Sequence, residues 1–311
     1  MERLTEALRA AERVLADAGV PSPRVDAELL AAHLMGVESG RHVSRGEVQT
    51  AAILGRAAPQ GLVELVARRA TREPLQHLTG RAAFRAIELD VGPGVFVPRP
   101  ETEQVAEVAA REARAVVARG AAVRVVDLCT GSAAIALAVA CEVAEAEVHA
   151  VELDRAAHAW AARNVAALAP DVHLVRGDAR TALRELDGTV DVVVSNPPYV
   201  PPGAVPVDPE VAEHDPAVAL YGLGADGLEV PRGIVAAAAR LLRPGGLLVM
   251  EHAEVQAAAA RALVEGTGAF EGVRTETDLT GRDRMVVARR NGHQGPATGV
   301  AHRSGVGDSQ P

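Results

Sequence analysis

The sequence predicts a doubly wound α/β domain that follows a small bundle of helices. From Val123 onward, short runs rich in valine and leucine alternate with segments of helical spacing, which is typical of a mostly parallel sheet. Before residue 73, apolar residues recur at helical spacing, as Leu4, Leu8 and Leu15 do. We therefore expect two units of different architecture along the 311 residues.

Residues 1–72 are predicted to form a helical domain. Gly19 and Pro21 end its first helix, residues 25–35 (VDAELLAAHLM) form a second, and further helical segments reach about Arg69. Such a bundle either caps the next domain or docks a macromolecular substrate, and the pattern of residues leaves both interpretations open.

Residues 73–98 are predicted to form a linker built on a β-hairpin. EPLQHLTG and AFRAIELDV are interpreted as two short strands joined by Gly80. A helix is expected next, over residues 101–118. Glu101 and Glu103 at its start either compensate the helix dipole or form a wall of a ligand pocket.

Residues 99–290 are predicted to form the α/β domain, with a last helix at about residues 254–265. The seven predicted strands are Val123–Leu128, Glu147–Glu152, Val172–Arg176, Val190–Ser195, Leu247–Glu251, Phe270–Asp278 and Arg284–Arg289. The tail at residues 291–311 is rich in Gly, Ser and Pro and is expected to be disordered.

Composition and charge argue against several functional classes. The formal net charge of -9 argues against a non-specific grip on nucleic acid. No apolar run reaches the roughly 20 residues that cross a bilayer, and the charged N-terminus forms no signal peptide. Two cysteines without a Cys-x-x-Cys pair, and ten scattered histidines, indicate no metal site. We expect a soluble, cytoplasmic protein without direct contact to nucleic acid or membrane.

The turn after the first strand of the α/β domain has the features of a nucleoside site. It reads Asp127-Leu128-Cys129-Thr130-Gly131-Ser132-Ala133-Ala134 and opens a helix, so that backbone N–H groups can face a carboxylate or phosphate. Glu152 ends the second strand, where it can accept hydrogen bonds from ribose hydroxyls. Asp178 follows the third strand and can accept from an adenine amino group.

Two adenosine-containing cofactors fit this pattern. NAD requires the spacing Gly-x-Gly-x-x-Gly, which Cys129 and Ala133 interrupt. S-adenosylmethionine has no pyrophosphate and tolerates a looser turn, so the residues favour S-adenosylmethionine.

The stretch Asn196-Pro197-Pro198-Tyr199 follows the predicted strand at residues 190–195, where parallel sheets bind ligands. The Asn196 side-chain oxygen and the Pro197 carbonyl are two acceptors that can hold an amide or exocyclic amine. The stiff proline pair has no N–H donors to compete, and Tyr199 offers an aromatic face. Taken alone, the stretch fits a simple proline-rich turn equally well.

With these motifs, the chain resembles the HemK/PrmC family of release factor glutamine methyltransferases over about residues 1–290. The segments that carry the resemblance are EPLQHLTGRAAF (Glu73–Phe84), VFVPRPETE (Val95–Glu103), DLCTGSAAIALA (Asp127–Ala138), SNPPYVP (Ser195–Pro201) and ADGLEVPRGI…LLRPGGLLVMEHAEVQ (Ala225–Gln256). The resemblance implies a Rossmann-like, class I S-adenosylmethionine-dependent methyltransferase whose N-terminal helical domain docks the substrate. It also implies the substrate, which is the glutamine of the Gly-Gly-Gln motif in peptide-chain release factors, methylated on its side-chain amide nitrogen.

The resemblance implies roles for individual residues as well. The implied cofactor-binding residues are Asp127, Thr130, Gly131, Ser132, Ala133, Ala134, Glu152, Asp178, Ala179 and Asn196. The implied glutamine-binding residues are Asn196, Pro197, Pro198 and Tyr199, of which Asn196, Pro197 and Tyr199 are expected to be catalytic. Ala133 stands where the family has a glycine, and its methyl group costs roughly 1 kcal/mol if this position needs a positive φ.

Three other functions remain open at this stage. A glutamine of a ribosomal protein is one alternative substrate, because substrate choice depends on residues 1–90 and on the loop after Tyr199. An adenine-N6 methyltransferase would use the same four-residue stretch, although the acidic charge argues against it. A non-catalytic cofactor-binding protein is the third.

Overall fold

A computed structural model describes residues 2–292, and the chain begins with five helices around one hydrophobic core. The helices are α1 (Leu4–Asp17), α2 (Pro23–Ser39), α3 (Arg45–Ile53), α4 (Leu62–Ala70) and α5 (Leu75–Thr79). The apolar face predicted for α1 is buried, because Leu4, Leu8 and Leu15 lie in this core. The bundle is therefore held by its own apolar contacts.

A two-stranded antiparallel hairpin, β1 (Arg81–Phe84) and β2 (Ile87–Asp90), follows the bundle. The prediction that EPLQHLTG forms its first strand and Gly80 its turn was wrong, since most of that segment is the helix α5. Gly80 has a φ of 72° and ends α5, which is a common role for a left-handed glycine. The hairpin turns instead at Arg85, whose φ is 52°.

The α/β domain contains one seven-stranded sheet in the order β5-β4-β3-β6-β7-β9-β8. Its strands are β3 (Val123–Leu128), β4 (Ala146–Glu152), β5 (His173–Arg176), β6 (Val190–Ser195), β7 (Leu242–Glu251), β8 (Phe270–Thr277) and β9 (Asp283–Arg290). The first five strands are parallel, and β9 runs antiparallel to both β7 and β8. The predicted seven-stranded, mostly parallel sheet is confirmed.

Helices cover both faces of this sheet. They are α6 (Thr102–Ala118), α7 (Ala134–Glu142), α8 (Arg155–Leu168), α11 (Glu229–Leu241) and α12 (Ala257–Glu265), whereas the short helices α9 (Pro209–His214) and α10 (Ala217–Leu220) lie in the loop between β6 and α11. Two apolar cores, one on each face, bury the central strands β3 and β6. The strand order reverses between β3 and β6, so the carboxyl ends of these two strands form the crevice where open α/β sheets bind ligands.

The sequence analysis predicted a disordered C-terminal tail and no membrane-spanning segment. The expected disorder of residues 291–311 falls almost entirely on residues 293–311, which lie outside the described part of the chain. Over residues 2–292, we find no helix with the length and apolar character that a bilayer crossing requires.

Candidate active site

One cavity of about 1170 Å³ opens at the carboxyl ends of the parallel strands. Most of the predicted site residues line it, namely Thr130, Gly131, Ser132, Ala134, Glu152, Asp178, Ala179, Asn196, Pro197, Pro198 and Tyr199. Asp127 and Ala133 do not line it and are fully buried. The structure thus brings the predicted cofactor residues and the predicted glutamine residues to one space, while their individual roles stay predictions.

The turn between β3 and α7 is strained. Its residues Cys129, Gly131 and Ala133 have φ values of 63°, 58° and 68°, in the left-handed region that disfavours side chains. Ala133 therefore occupies the positive φ that the sequence analysis considered. Strain of this kind persists only where the surroundings determine the backbone, and it is concentrated at ligand sites.

The N–H groups of this turn are largely used within the protein. Thr130 N donates to Val151 O at 3.0 Å, and Ala133 N donates to Thr130 O at 2.9 Å. Gly131 N donates to Glu152 Oε2 at 2.8 Å. The expectation that these N–H groups face a ligand is therefore wrong for three residues of the turn.

Asp127 supports the turn from beneath. Its Oδ2 accepts hydrogen bonds from Thr130 Oγ1 at 2.5 Å and from Ala136 N at 3.1 Å. Burial raises the pKa of Asp127 to about 7, and the hydrogen bonds from Thr130 and Ala136 offset only part of this rise. Asp127 shapes the turn without lining the cavity.

Glu152 presents a carboxylate whose orientation is fixed. Besides the bond from Gly131, its Oε1 accepts from Asp154 N at 2.8 Å. Burial raises the pKa of Glu152, although these backbone donors lower it in part. Each oxygen keeps a lone pair, so the carboxylate suits a ligand with two hydroxyl donors.

Asp178, after β5, also lines the cavity and pairs with Arg180, with 2.7 Å between Oδ2 and the guanidinium. Hydrogen bonds from Arg180 lower the pKa of Asp178, which stays ionised and able to accept a further donor.

Asn164 connects the hairpin to the cofactor turn, which the sequence analysis missed. Its Nδ2 donates to Ser132 O at 3.0 Å and to Asp90 O at 2.9 Å. Its Oδ1 accepts from Asp90 N at 2.7 Å. The hairpin is thus part of the support of the site, and only the tertiary structure could show this.

Asn196 is oriented by Thr102, the first residue of α6. Asn196 Nδ2 donates to Thr102 Oγ1 at 3.2 Å, and Thr102 is only 4% exposed. Because the amide nitrogen is engaged, the Asn196 side-chain oxygen is the atom left to accept a hydrogen bond from a ligand. No pattern in the sequence singled out Thr102, although it lies in the segment VFVPRPETE.

Glu251, at the end of β7, lies beneath Tyr199. The Tyr199 hydroxyl donates to Glu251 Oε1 at 3.3 Å. Burial raises the pKa of Glu251 to about 7, and the Thr102 hydroxyl lowers it in part. Burial also raises the pKa of Tyr199, which keeps its proton. Glu251 and Tyr199 therefore form a hydrogen-bonded pair in the wall of the cavity, which the sequence analysis missed.

The backbone of the stretch from Asn196 to Tyr199 is held by close packing. Gln256 Nε2 donates to Tyr199 O at 2.8 Å. A Cβ atom on Gly222 would lie 2.7 Å from Pro198 O and 1.8 Å from Gly227 O. Only glycine allows this approach, so residues 222–227 fix the two prolines in place.

The two glutamates at the start of α6, Glu101 and Glu103, have different surroundings. Glu101 lines the cavity. Glu103 does not, because its carboxylate accepts a hydrogen bond from Arg85 N at 3.0 Å and so supports the hairpin turn. The pocket-wall interpretation is therefore supported for Glu101 and fails for Glu103.

Within residues 2–292, one group of side chains lies close enough to hold a metal ion. Atoms of Glu147, His149 and His173 lie within 4.8 Å of one another. Both Glu147 oxygens are already engaged, by His149 Nε2 and by Arg124, each at 2.8 Å. This group could not be predicted from the sequence, because it forms only when β4 pairs with β5 and places His149 opposite His173.

The sheet order and the cavity define the class of protein as a class I S-adenosylmethionine-dependent methyltransferase. Two family models match the chain, the PrmC N-terminal domain over residues 6–80 and the methyltransferase small domain over residues 107–212. The catalytic domain of hMettl16, solved with an RNA hairpin, has the same fold, with a TM-score of 0.50 and 15% identity over 74% of this chain and 83% of that one.

Full-length relatives identify the family. A release factor glutamine methyltransferase from Streptomyces coelicolor is 49% identical over 92% of this chain and 98% of its own length. A 4-amino-L-phenylalanine/4-methylamino-L-phenylalanine methyltransferase from Streptomyces pristinaespiralis is 41% identical over 93% of this chain and 95% of its own. This chain belongs to the family of the release factor glutamine methyltransferases.

Proposed function

We propose that this protein methylates the side-chain amide nitrogen of the glutamine in the Gly-Gly-Gln motif of peptide-chain release factors, with S-adenosylmethionine as the methyl donor. The observation that carries the proposal is the Asn196 amide, which Thr102 holds with its oxygen available in the cavity that Glu152 also lines. The relative with 49% identity supports the same substrate. A reaction on release factors belongs to the cytoplasm, which agrees with the expected localisation.

The cofactor suits the residues on the β4 side of the cavity. We assign the ribose hydroxyls to Glu152 and the adenine to Asp178 and Ala179, all of which line the cavity. When bound, S-adenosylmethionine supplies an electrophilic methyl group on a positively charged sulfur.

The glutamine amide is a weak nucleophile because its nitrogen lone pair is delocalised into the carbonyl group. We assign its two N–H bonds to the Asn196 side-chain oxygen and the Pro197 carbonyl. These two acceptors draw the nitrogen away from planarity and favour the positive charge that develops on it. Their orientation is set before reaction, so no reorganisation is needed in the transition state. The nitrogen would gain the methyl group as the bond from that group to the sulfur breaks, which leaves a neutral thioether, and it would release one proton to water, so no general base is required.

A small aromatic amine is the second candidate substrate, and the relative with 41% identity favours it. The nitrogen of an aniline group is also a weak nucleophile with two N–H bonds, so it suits the same acceptors. The stretch from Asn196 to Tyr199 therefore does not distinguish a glutamine amide from an aromatic amine. Which of the two is methylated depends on the surfaces around the cavity.

The test is methylation of defined acceptors by the purified protein with labelled S-adenosylmethionine. The acceptors are a release factor, its Gly-Gly-Gln Gln→Ala variant, a ribosomal protein, unmethylated DNA and 4-amino-L-phenylalanine, and mass spectrometry locates the methyl group. Label on the Gly-Gly-Gln glutamine that disappears in the Gln→Ala variant supports the proposal. Label only on the aromatic amine, on the ribosomal protein or on adenine overturns the substrate assignment. Cofactor binding without transfer to any acceptor overturns the catalytic role.

A further inference from the structure

The N-terminal helices are joined to the α/β domain by a buried group of ion pairs. Arg69, near the end of α4, is 5% exposed and donates to Asp26 Oδ2 at 2.8 Å and to Glu210 Oε1 at 2.7 Å. Arg72 donates through two nitrogens to the Glu210 carboxylate, with Nε 2.8 Å from Oε1. Glu210 is 7% exposed, so both arginines meet on one buried carboxylate.

The charges in this group are mutually satisfied. Burial would raise the pKa of Glu210, yet the hydrogen bonds it accepts, the strongest from Arg72, hold the pKa well below its usual range. Arg69 is fixed further, since its remaining nitrogen donates to Glu73 O at 3.0 Å. Among the described carboxylates, removing Glu210 would leave Arg69 with Asp26 alone, and Arg72 with the exposed Asp208 alone at 3.3 Å.

Glu210 lies in α9, within the loop of residues 201–223 that follows Asn196-Pro197-Pro198-Tyr199. This loop lines the cavity with Val205, Val207 and Val218, whose exposed fractions are 76%, 99% and 45%. Large apolar side chains so exposed at a cavity mouth mark a binding surface. The loop of residues 201–223 therefore contributes to two places. Glu210 binds the arginines of the N-terminal region, and the three valines line the cavity.

We propose that Glu210 and its two arginines are positioning residues, which hold the loop of residues 201–223 so that its valines receive the segment that carries the acceptor glutamine. The proposal rests on the proposed function. It gives the N-terminal helices a second task besides docking, because their arginines set the shape of the acceptor opening. The cofactor side of the cavity is built from β3 and β4 and should not depend on these ion pairs.

The test compares Glu210→Gln and Arg72→Ala with a matched control, Arg68→Ala. Arg68 is on α4, next to Arg69 in the chain, and pairs with Glu73, away from the loop. KM for the release factor should rise about tenfold or more in both test variants, since each breaks a buried charge pair. The affinity for S-adenosylmethionine should stay within about twofold of the native value. A variant that is merely less stable would lower the active fraction, and hence kcat, without changing KM.

Two further measurements make the outcome decisive. The double variant should raise KM by much less than the product of the single effects, because both changes break the same interaction. Amide hydrogen exchange should become faster over residues 209–214 in the test variants and remain native in Arg68→Ala. Unchanged KM in Glu210→Gln overturns the proposal, whether or not the loop exchanges faster. If the native protein leaves release factors unmethylated, the proposed function fails, and this is visible before any variant is made.

Discussion

Replacing Thr102 by valine tests the hydrogen bond that orients Asn196. Valine has nearly the shape of threonine but removes the hydroxyl that accepts from Asn196 Nδ2 at 3.2 Å. A donor left without its partner in a buried place costs about 1–3 kcal/mol. The Asn196 amide can escape this cost by rotating its nitrogen toward the cavity, where it would present a donor to the acceptor amide in place of the oxygen.

The size of the effect follows from these energies. If the lost orientation costs the transition state about 1–3 kcal/mol, kcat falls about 5- to 150-fold, since 1.4 kcal/mol corresponds to a factor of ten. Affinity for S-adenosylmethionine should change little, because Thr102 makes no described hydrogen bond to Glu152 or to the cofactor turn.

The assay is steady-state methylation of the release factor, together with calorimetric titration of the cofactor. Thr102→Ser is the matched control, because it keeps the hydroxyl and should retain most of the native kcat. The reasoning is refuted if Thr102→Val keeps kcat within about twofold of native. It is refuted equally if cofactor affinity falls by the same factor as kcat, which would indicate a general distortion of the cavity.

Further predictions concern three other residues. Asn196→Ala should reduce kcat more than cofactor affinity, and equal losses in the two quantities would contradict an acceptor role. Ala133→Gly should raise the free energy of unfolding in urea by about 1 kcal/mol, because glycine adopts the φ of 68° without strain. The matched control Ala138→Gly, at a buried position inside α7, should lower it by about 1 kcal/mol. Glu251 has a pKa of about 7, and its carboxyl group accepts the hydrogen bond from Tyr199 more strongly when it is ionised. The kcat/KM for the release factor should therefore rise with pH through about 7, and Glu251→Gln should flatten this rise.

The fold and the local motifs of the site could be predicted from the sequence, because each is encoded within one short segment. The valine-rich strand β6 and the stretch after it are adjacent in the chain, and the cofactor turn follows β3 directly. A positive φ at Ala133 was raised only as a condition, because the family has a glycine at this position, and the structure shows it. The hairpin was misplaced because EPLQHLTG is apolar enough for a strand, while Gly80 at its end serves to stop a helix.

The residues that hold the motifs in place could not be predicted, because they come from distant parts of the chain. Thr102 lies 94 residues before Asn196, and Glu251 lies 52 residues after Tyr199. They meet only because β7 pairs with β6 and α6 packs against both strands. The sequence does show an acidic residue, Glu251, at the end of a predicted strand. Its place next to Tyr199 could be inferred only once the order of the strands was known.

The choice between NAD and S-adenosylmethionine now has a physical basis beyond the spacing of glycines. A pyrophosphate needs free N–H donors at the turn, and the Gly131 N–H is already given to Glu152. An anionic ligand would also meet the carboxylate of Glu152, whose pKa burial has raised, and would lie near the buried Asp127. The binding of a cation is favoured instead. A nearby positive charge stabilises the ionised form of a buried carboxyl group. The sulfonium of S-adenosylmethionine is such a cation, and the buried carboxylates that disfavour a dinucleotide therefore favour the methyl donor.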